Sequence, residues 1–109
     1  MKRPARIRVL GKPITVHYVP AGDEKLKDGP EDTEPGMGRS DGSKQEIAVE
    51  EGQPLETEQD TLLHEVLHII EEYMGMDVPE GVVEVFATGL LAVLKDNPSF
   101  GRYLAARKR

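Results

Sequence analysis

Cysteine and tryptophan are absent from this 109-residue chain, and aromatic residues amount to two Phe and three Tyr. Without thiols there is no disulfide framework, no thiolate zinc site, no iron–sulfur cluster and no cysteine nucleophile. A metal in this protein has to be held by His and carboxylate. Long apolar runs are missing as well: none approaches the roughly 18 residues of a membrane span, so no membrane partner is expected. The start Met1-Lys2-Arg3-Pro4-Ala5-Arg6 leads into a broken apolar stretch without signal-peptide character, and the expectation is a cytoplasmic protein. With 38% hydrophobic residues, a chain this short builds one thin core, hence a single domain over 1–109.

Acid dominates what is present. Twenty Asp and Glu face 14 Lys and Arg, a formal net charge of −6. The bases gather at the ends: Lys2, Arg3, Arg6 and Arg8 at one, Arg102, Arg107, Lys108 and Arg109 at the other. Between Asp23 and Glu84 the only bases are Lys25, Lys27, Arg39 and Lys44, and this acidic body argues against a nucleic-acid partner.

Apolar alternation at Ile7 and Val9, then at Ile14, Val16 and Tyr18 beyond Gly11-Lys12-Pro13, predicts a hairpin with one apolar face. The stretch 20–43 holds five Gly, three Pro and many charges with little to anchor it, and reads as a flexible surface loop. Ile47 and Val49 within Gln45 to Glu50 predict a third strand of the same sheet. Thr57 and Asp60 look like the cap of a helix with the core stripe Leu62, Val66, Leu67, Ile70 and Met74, stopped by Gly75. A second helix starts near Asp77 and Pro79 and runs, almost wholly apolar, to the break at Asn97-Pro98; a last short helix is expected in Ser99 to Arg109. The fold class is thus α+β: a three-stranded, mostly antiparallel sheet packed on two helices.

The first of those helices carries His64-Glu65-Val66-Leu67-His68. Histidines at i and i+4 stand one above the other, so both imidazoles reach one ion from the same side. Glu65 lies about 100° round the helix, beside such an ion rather than on it, where a base acting on water belongs. Given the composition, chance supplies about 0.006 such motifs in a chain of this length. A zinc ion that activates water takes three protein ligands and keeps a fourth position open. The foremost third ligand is Glu84, the one charged residue between Gly81 and Leu94, because an ionised carboxylate among apolar neighbours is costly unless paired or bound to metal. Glu71 and Glu72 compete from the last turn of the first helix, whereas His17 is expected on the strand face turned away from the helices. One zinc per chain is expected.

These residues resemble a family. His64-Glu65-Val66-Leu67-His68 followed by Glu84 on the next helix is similar to the gluzincin arrangement of zinc metallopeptidases, and Glu84-Val85-Phe86-Ala87 resembles the glutamate helix of ImmA/IrrE-like peptidases. The order hairpin, strand, HExxH helix and glutamate helix is also like that of the stand-alone minigluzincins, with the overall look of small proteins of tailed phages and prophages. The resemblance covers roughly Arg6 to Pro98 and implies a minimal zincin-like fold. It also implies His64, His68 and Glu84 as zinc ligands and Glu65 as general base and proton shuttle. For the Tyr or His that larger gluzincins use to stabilise the tetrahedral intermediate, the candidates are Tyr103, Tyr73 and His17.

The expected function is therefore a zinc metallopeptidase hydrolysing peptide bonds in an extended polypeptide, with the Gln45 to Glu50 strand as the rim to which substrate adds and the 20–43 loop over the cleft. The alternative is a zinc-stabilised, catalytically weak binding or regulatory module of phage origin, whose thin core gains from a metal clamp. The second helix is apolar enough that a homodimer would cover its spare surface.

Overall fold

The alternating residues of the first twenty positions form the hairpin they predict. Strands β1 (Arg6–Val9) and β2 (Lys12–Val19) run antiparallel, with Ile7 opposite Ile14. Leu10 and Gly11 between them both take positive φ, 50° and 85°, as a two-residue turn matched to strand twist requires. This is a computed structural model, and it describes residues 2–28 and 36–108.

The α+β class holds, but the sheet differs from the three-stranded, mostly antiparallel one expected. It has four strands in the order β1-β2-β4-β3, where β3 is Gly38–Asp41 and β4 is Glu46–Glu50. Strand β4 pairs parallel with β2 and antiparallel with β3, so the sheet is mixed. Strand β3 lies within the stretch read as a loop because its sequence, Gly-Arg-Ser-Asp, contains no apolar residue. Its register places Gly38 opposite Val49 and Ser40 opposite Ile47, both on the helix-facing side, where a helix passes too close for larger side chains. A second part of that stretch is also ordered: a 3-10 turn at Glu24–Leu26 buries Leu26 against Val19 and Ala48 on the other side of the sheet. Residues 29–35 of the expected loop lie outside the described residues.

Helix α1 (Leu55–Tyr73) crosses the first face and completes the main core, Ile69 meeting Ile14, Val16, Ile47 and Val49. It opens before Thr57, behind Pro54, with no side-chain cap. Its end is the one the sequence predicts: the Gly75 N–H donates to the Glu72 carbonyl and the Met76 N–H to that of Glu71, around a left-handed Gly75. Helix α2 (Glu80–Asp96) lies against α1 through the buried Val83 and Ala87, and α3 (Pro98–Ala105) supplies the expected last helix. Among the described residues no helix is long and apolar enough to cross a membrane.

Candidate metal centre

Helical spacing brings His64 and His68 together as expected: their Nε2 atoms stand 3.0 Å apart on one face of α1. Glu80, the first residue of α2, meets both of them, with Oε1 2.6 Å from His64 Nε2 and Oε2 3.0 Å from His68 Nε2. These three side chains offer donor atoms all within 4.8 Å of one another. Tetrahedral ligands at about 2.0–2.1 Å from a zinc ion stand about 3.3 Å apart, and the three donors here, at 2.6 and 3.0 Å, would have to part slightly to admit one.

Glu71 orients the second imidazole. Its Oε1 lies 2.7 Å from His68 Nδ1, and since an ionised carboxylate only accepts, Nδ1 carries a proton and donates, which leaves Nε2 as the nitrogen directed at Glu80 and as the one a cation would take. The other oxygen of Glu71 accepts from the Val78 N–H at 2.6 Å, which ties the last turn of α1 to the connection leading into α2. These two hydrogen bonds, the backbone one first, hold the Glu71 carboxyl below its ordinary range. Burial pulls His68 downward, but the Glu71 bond and the neighbouring carboxylates outweigh it and the net shift is upward. A ring with raised proton affinity is also a stronger donor toward a cation.

Glu65 is buried, 7% exposed, directly under β3. A Cβ on Gly38 would stand 2.6 Å from Thr61 Cγ2 and 3.0 Å from Glu65 Oε2, so only glycine lets the strand pass this close to the helix. Burial lifts the Glu65 carboxyl above its ordinary value, against the pull of its hydrogen bond with Ser40 and of the two imidazoles.

The structure brings Glu80, and not Glu84, to the imidazoles. Glu84 is exposed one turn further along α2, where it lines a cleft of about 460 Å³ with Asp60, His64 and Glu80. An ionised Glu84 would be costly only among buried apolar neighbours, and Val85 and Phe86 are themselves 71% and 58% exposed. Its carboxylate therefore stays hydrated and has no need of a cation. Nothing in the sequence marks Glu80 as a ligand, because it stands at the helix start, beside Pro79, where an acidic residue reads as a partner for the helix dipole. Its i, i+4 spacing to Glu84 was the available signal that both share a face.

The remaining candidates are not gathered around these donors. The Tyr73 hydroxyl donates to the Gly42 carbonyl at 2.7 Å, Tyr103 is 73% exposed on α3, and Glu72 accepts from the Gly42 N–H at 3.1 Å. His17 lies on the sheet face away from the helices, as expected, its Nε2 3.6 Å from Glu46. The expected rim strand Gln45 to Glu50 is interior to the sheet, and β3 is the edge beside the imidazoles. No family model, no curated protein and no solved structure matches the chain.

Proposed function

We propose that this chain is a zinc-dependent peptidase of the HExxH type, with His64, His68 and Glu80 as ligands and Glu65 as general base. The observation that carries the reading is the convergence of two Nε2 atoms and one carboxylate beside a second, buried carboxylate. Nitrogen and oxygen donors without sulfur suit zinc, which bound there would polarise a carbonyl and acidify a water molecule. Glu65 is held by Ser40 and by the close pass of β3, within electrostatic reach of both imidazoles and outside the ligand set; in this reading it takes the proton of the attacking water and returns it to the leaving amine. The outer edge of β3 pairs with no strand among the described residues and runs directly over Glu65, so an extended peptide adding to it would lie across the site.

A second reading, a zinc clamp without efficient catalysis, is favoured by how little holds α2: Val83 and Ala87 are its only buried residues among those described. One experiment separates the two. Untagged protein is assayed for bound zinc by mass spectrometry after dialysis, and for hydrolysis of a random peptide library, beside Glu65→Gln, Glu80→Ala and Glu84→Ala. We expect one zinc per chain in wild type and in Glu65→Gln, with peptide cleavage reduced at least about 100-fold in the latter. Glu80→Ala should weaken zinc more than about 100-fold and Glu84→Ala far less. Zinc binding without cleavage in wild type establishes the clamp; a folded wild type with no zinc affinity refutes both.

A further inference from the structure

The edge that β3 leaves free has a definite register. The Glu50 N–H donates to the Met37 carbonyl at 2.7 Å, and by strand alternation Arg39 and Asp41 likewise turn their backbone groups toward Ala48 and Glu46 of β4. Gly38 and Ser40, between them, therefore point N–H and C=O outward, and both lie on the face of the sheet that meets α1. A segment added to this edge bonds to Gly38 and Ser40, and its residues opposite those two hold their side chains on the same face, toward the helices. A depression starts from each imidazole to receive them. Beside Gly38 is the cleft of about 460 Å³ that reaches from His64 and Glu80 to Asp60 and Glu84. Beside Ser40 is a wider groove of about 660 Å³ that reaches from His68 and Glu80 to Glu71, Glu72 and Asp77. Apart from the imidazoles, every ionisable side chain lining either one is a carboxylate.

The two depressions differ in how much of that charge is already used. In the groove, Glu71 is bonded to His68 and to the Val78 N–H, and Glu72 to the Gly42 N–H. In the cleft, Asp60 accepts from the neutral Thr88 hydroxyl at 3.2 Å, and neither Asp60 nor Glu84 is ion-paired among the described residues. Lys95, the one base of α2, reaches Glu56 instead. Nor do the two complete a metal site: among the described residues the group of three donors that converges within 4.8 Å is that of His64, His68 and Glu80. Two unpaired carboxylates on facing helices match the spread donors of a guanidinium, or an ammonium on a long stem. Met37 lines the same cleft and offers apolar surface to such a stem. We infer that the cleft between Asp60 and Glu84 selects a lysine or arginine side chain of an extended polypeptide that adds to β3 at Gly38. The groove beside Ser40 deepens the negative field and disfavours acidic residues there. The path of the polypeptide rests on the peptidase reading, whereas the preference for a basic side chain is a property of binding.

Fluorescence anisotropy tests it on the full chain carrying Glu65→Gln, in the presence of zinc, so that binding is read without turnover. The probes are three labelled peptides of one serine- and threonine-rich sequence that differ at a single central position, Arg, Leu or Glu. The Arg peptide should bind at least about tenfold more tightly than the Leu peptide, and the Glu peptide more weakly still. The advantage should shrink as salt rises from about 0.05 to about 0.5 M. Adding Asp60→Asn and Glu84→Gln together, which keeps the shape of the cleft, should bring the Arg and Leu peptides within about twofold, and Glu84→Lys should favour the Glu peptide. Circular dichroism of the same samples shows that each variant is folded. Equal affinity for the Arg and Leu peptides before those changes, or an Arg preference that survives the double change, would overturn the assignment. Library cleavage by wild type separates this outcome from that of the peptidase reading. Cleavage without a basic preference sinks the cleft assignment alone, and Arg-selective binding without cleavage sinks the peptidase and leaves the cleft.

Discussion

Glu71 does two jobs with one carboxylate, orienting His68 through Nδ1 and anchoring the connection to α2 through the Val78 N–H. A supporting group of this kind acts on the lone pair of the ligand rather than on the ion. Glu71→Ala should therefore weaken zinc binding by about 10–100-fold while the far-ultraviolet circular dichroism of the metal-free chain is unchanged; equal zinc affinity in a competition titration would show that His68 needs no partner. At this scale the motif was fully legible. The placement of two histidines four apart with a glutamate between them follows from helix geometry alone, because every intervening bond is local. The carboxylate that meets both imidazoles comes from another helix, and whether Glu80 or Glu84 does so depends on how the helices dock.

Strand β3 is built around small residues. Gly38 passes over Thr61 and Glu65, and Gly42 is pressed between Glu72 and Tyr73, whose hydrogen bonds fasten it to the end of α1. Gly38→Ala should destabilise the fold by about 1–3 kcal/mol in urea unfolding, the cost of forcing strand and helix apart. Adding Thr61→Ala, which removes the nearest obstructing methyl, should recover part of that loss, whereas strictly additive effects would mean the contact is not the cause. The first hairpin carries the opposite opportunity. Leu10, 60% exposed, holds a left-handed φ of 50° that asparagine adopts at lower cost, so Leu10→Asn should stabilise by about 1 kcal/mol.

Two hydrophobic clusters, one on each side of the sheet, and the buried pair Val83 and Ala87 between α1 and α2 make up the core of the described residues. Helix α2 is attached to the rest by a narrow stripe, and Glu80 connects it to α1 at one end only. An ion that binds the folded chain and not the unfolded one should therefore change stability markedly. Zinc at about 100 times its dissociation constant adds about 2.7 kcal/mol, which for a chain near 100 residues raises the melting temperature by about 10–20 °C. Scanning calorimetry with zinc and with a chelator reads that difference. A shift below about 3 °C would indicate that the ion is not held by both helices.

Sequence alone determined what is local: the first hairpin from its alternation, the stop of α1 from Gly75, the pairing of His64 with His68, the placement of Glu65 beside them, and the exclusion of thiol chemistry. Each follows from bonds or side chains a few residues apart. Tertiary structure decided what depends on contact across the chain. Strand β3 could not be read from Gly-Arg-Ser-Asp, since its pairing rests on β4 and its lack of apolar residues reflects the helix pressed against it. Leu26 became an anchor only because Val19 and Ala48 present a pocket on the far side of the sheet. The carboxylate that meets the imidazoles was settled by the way α2 turns one stripe to α1 and the other to solvent. Apolar composition says how much surface a helix must cover; only packing says which side is covered.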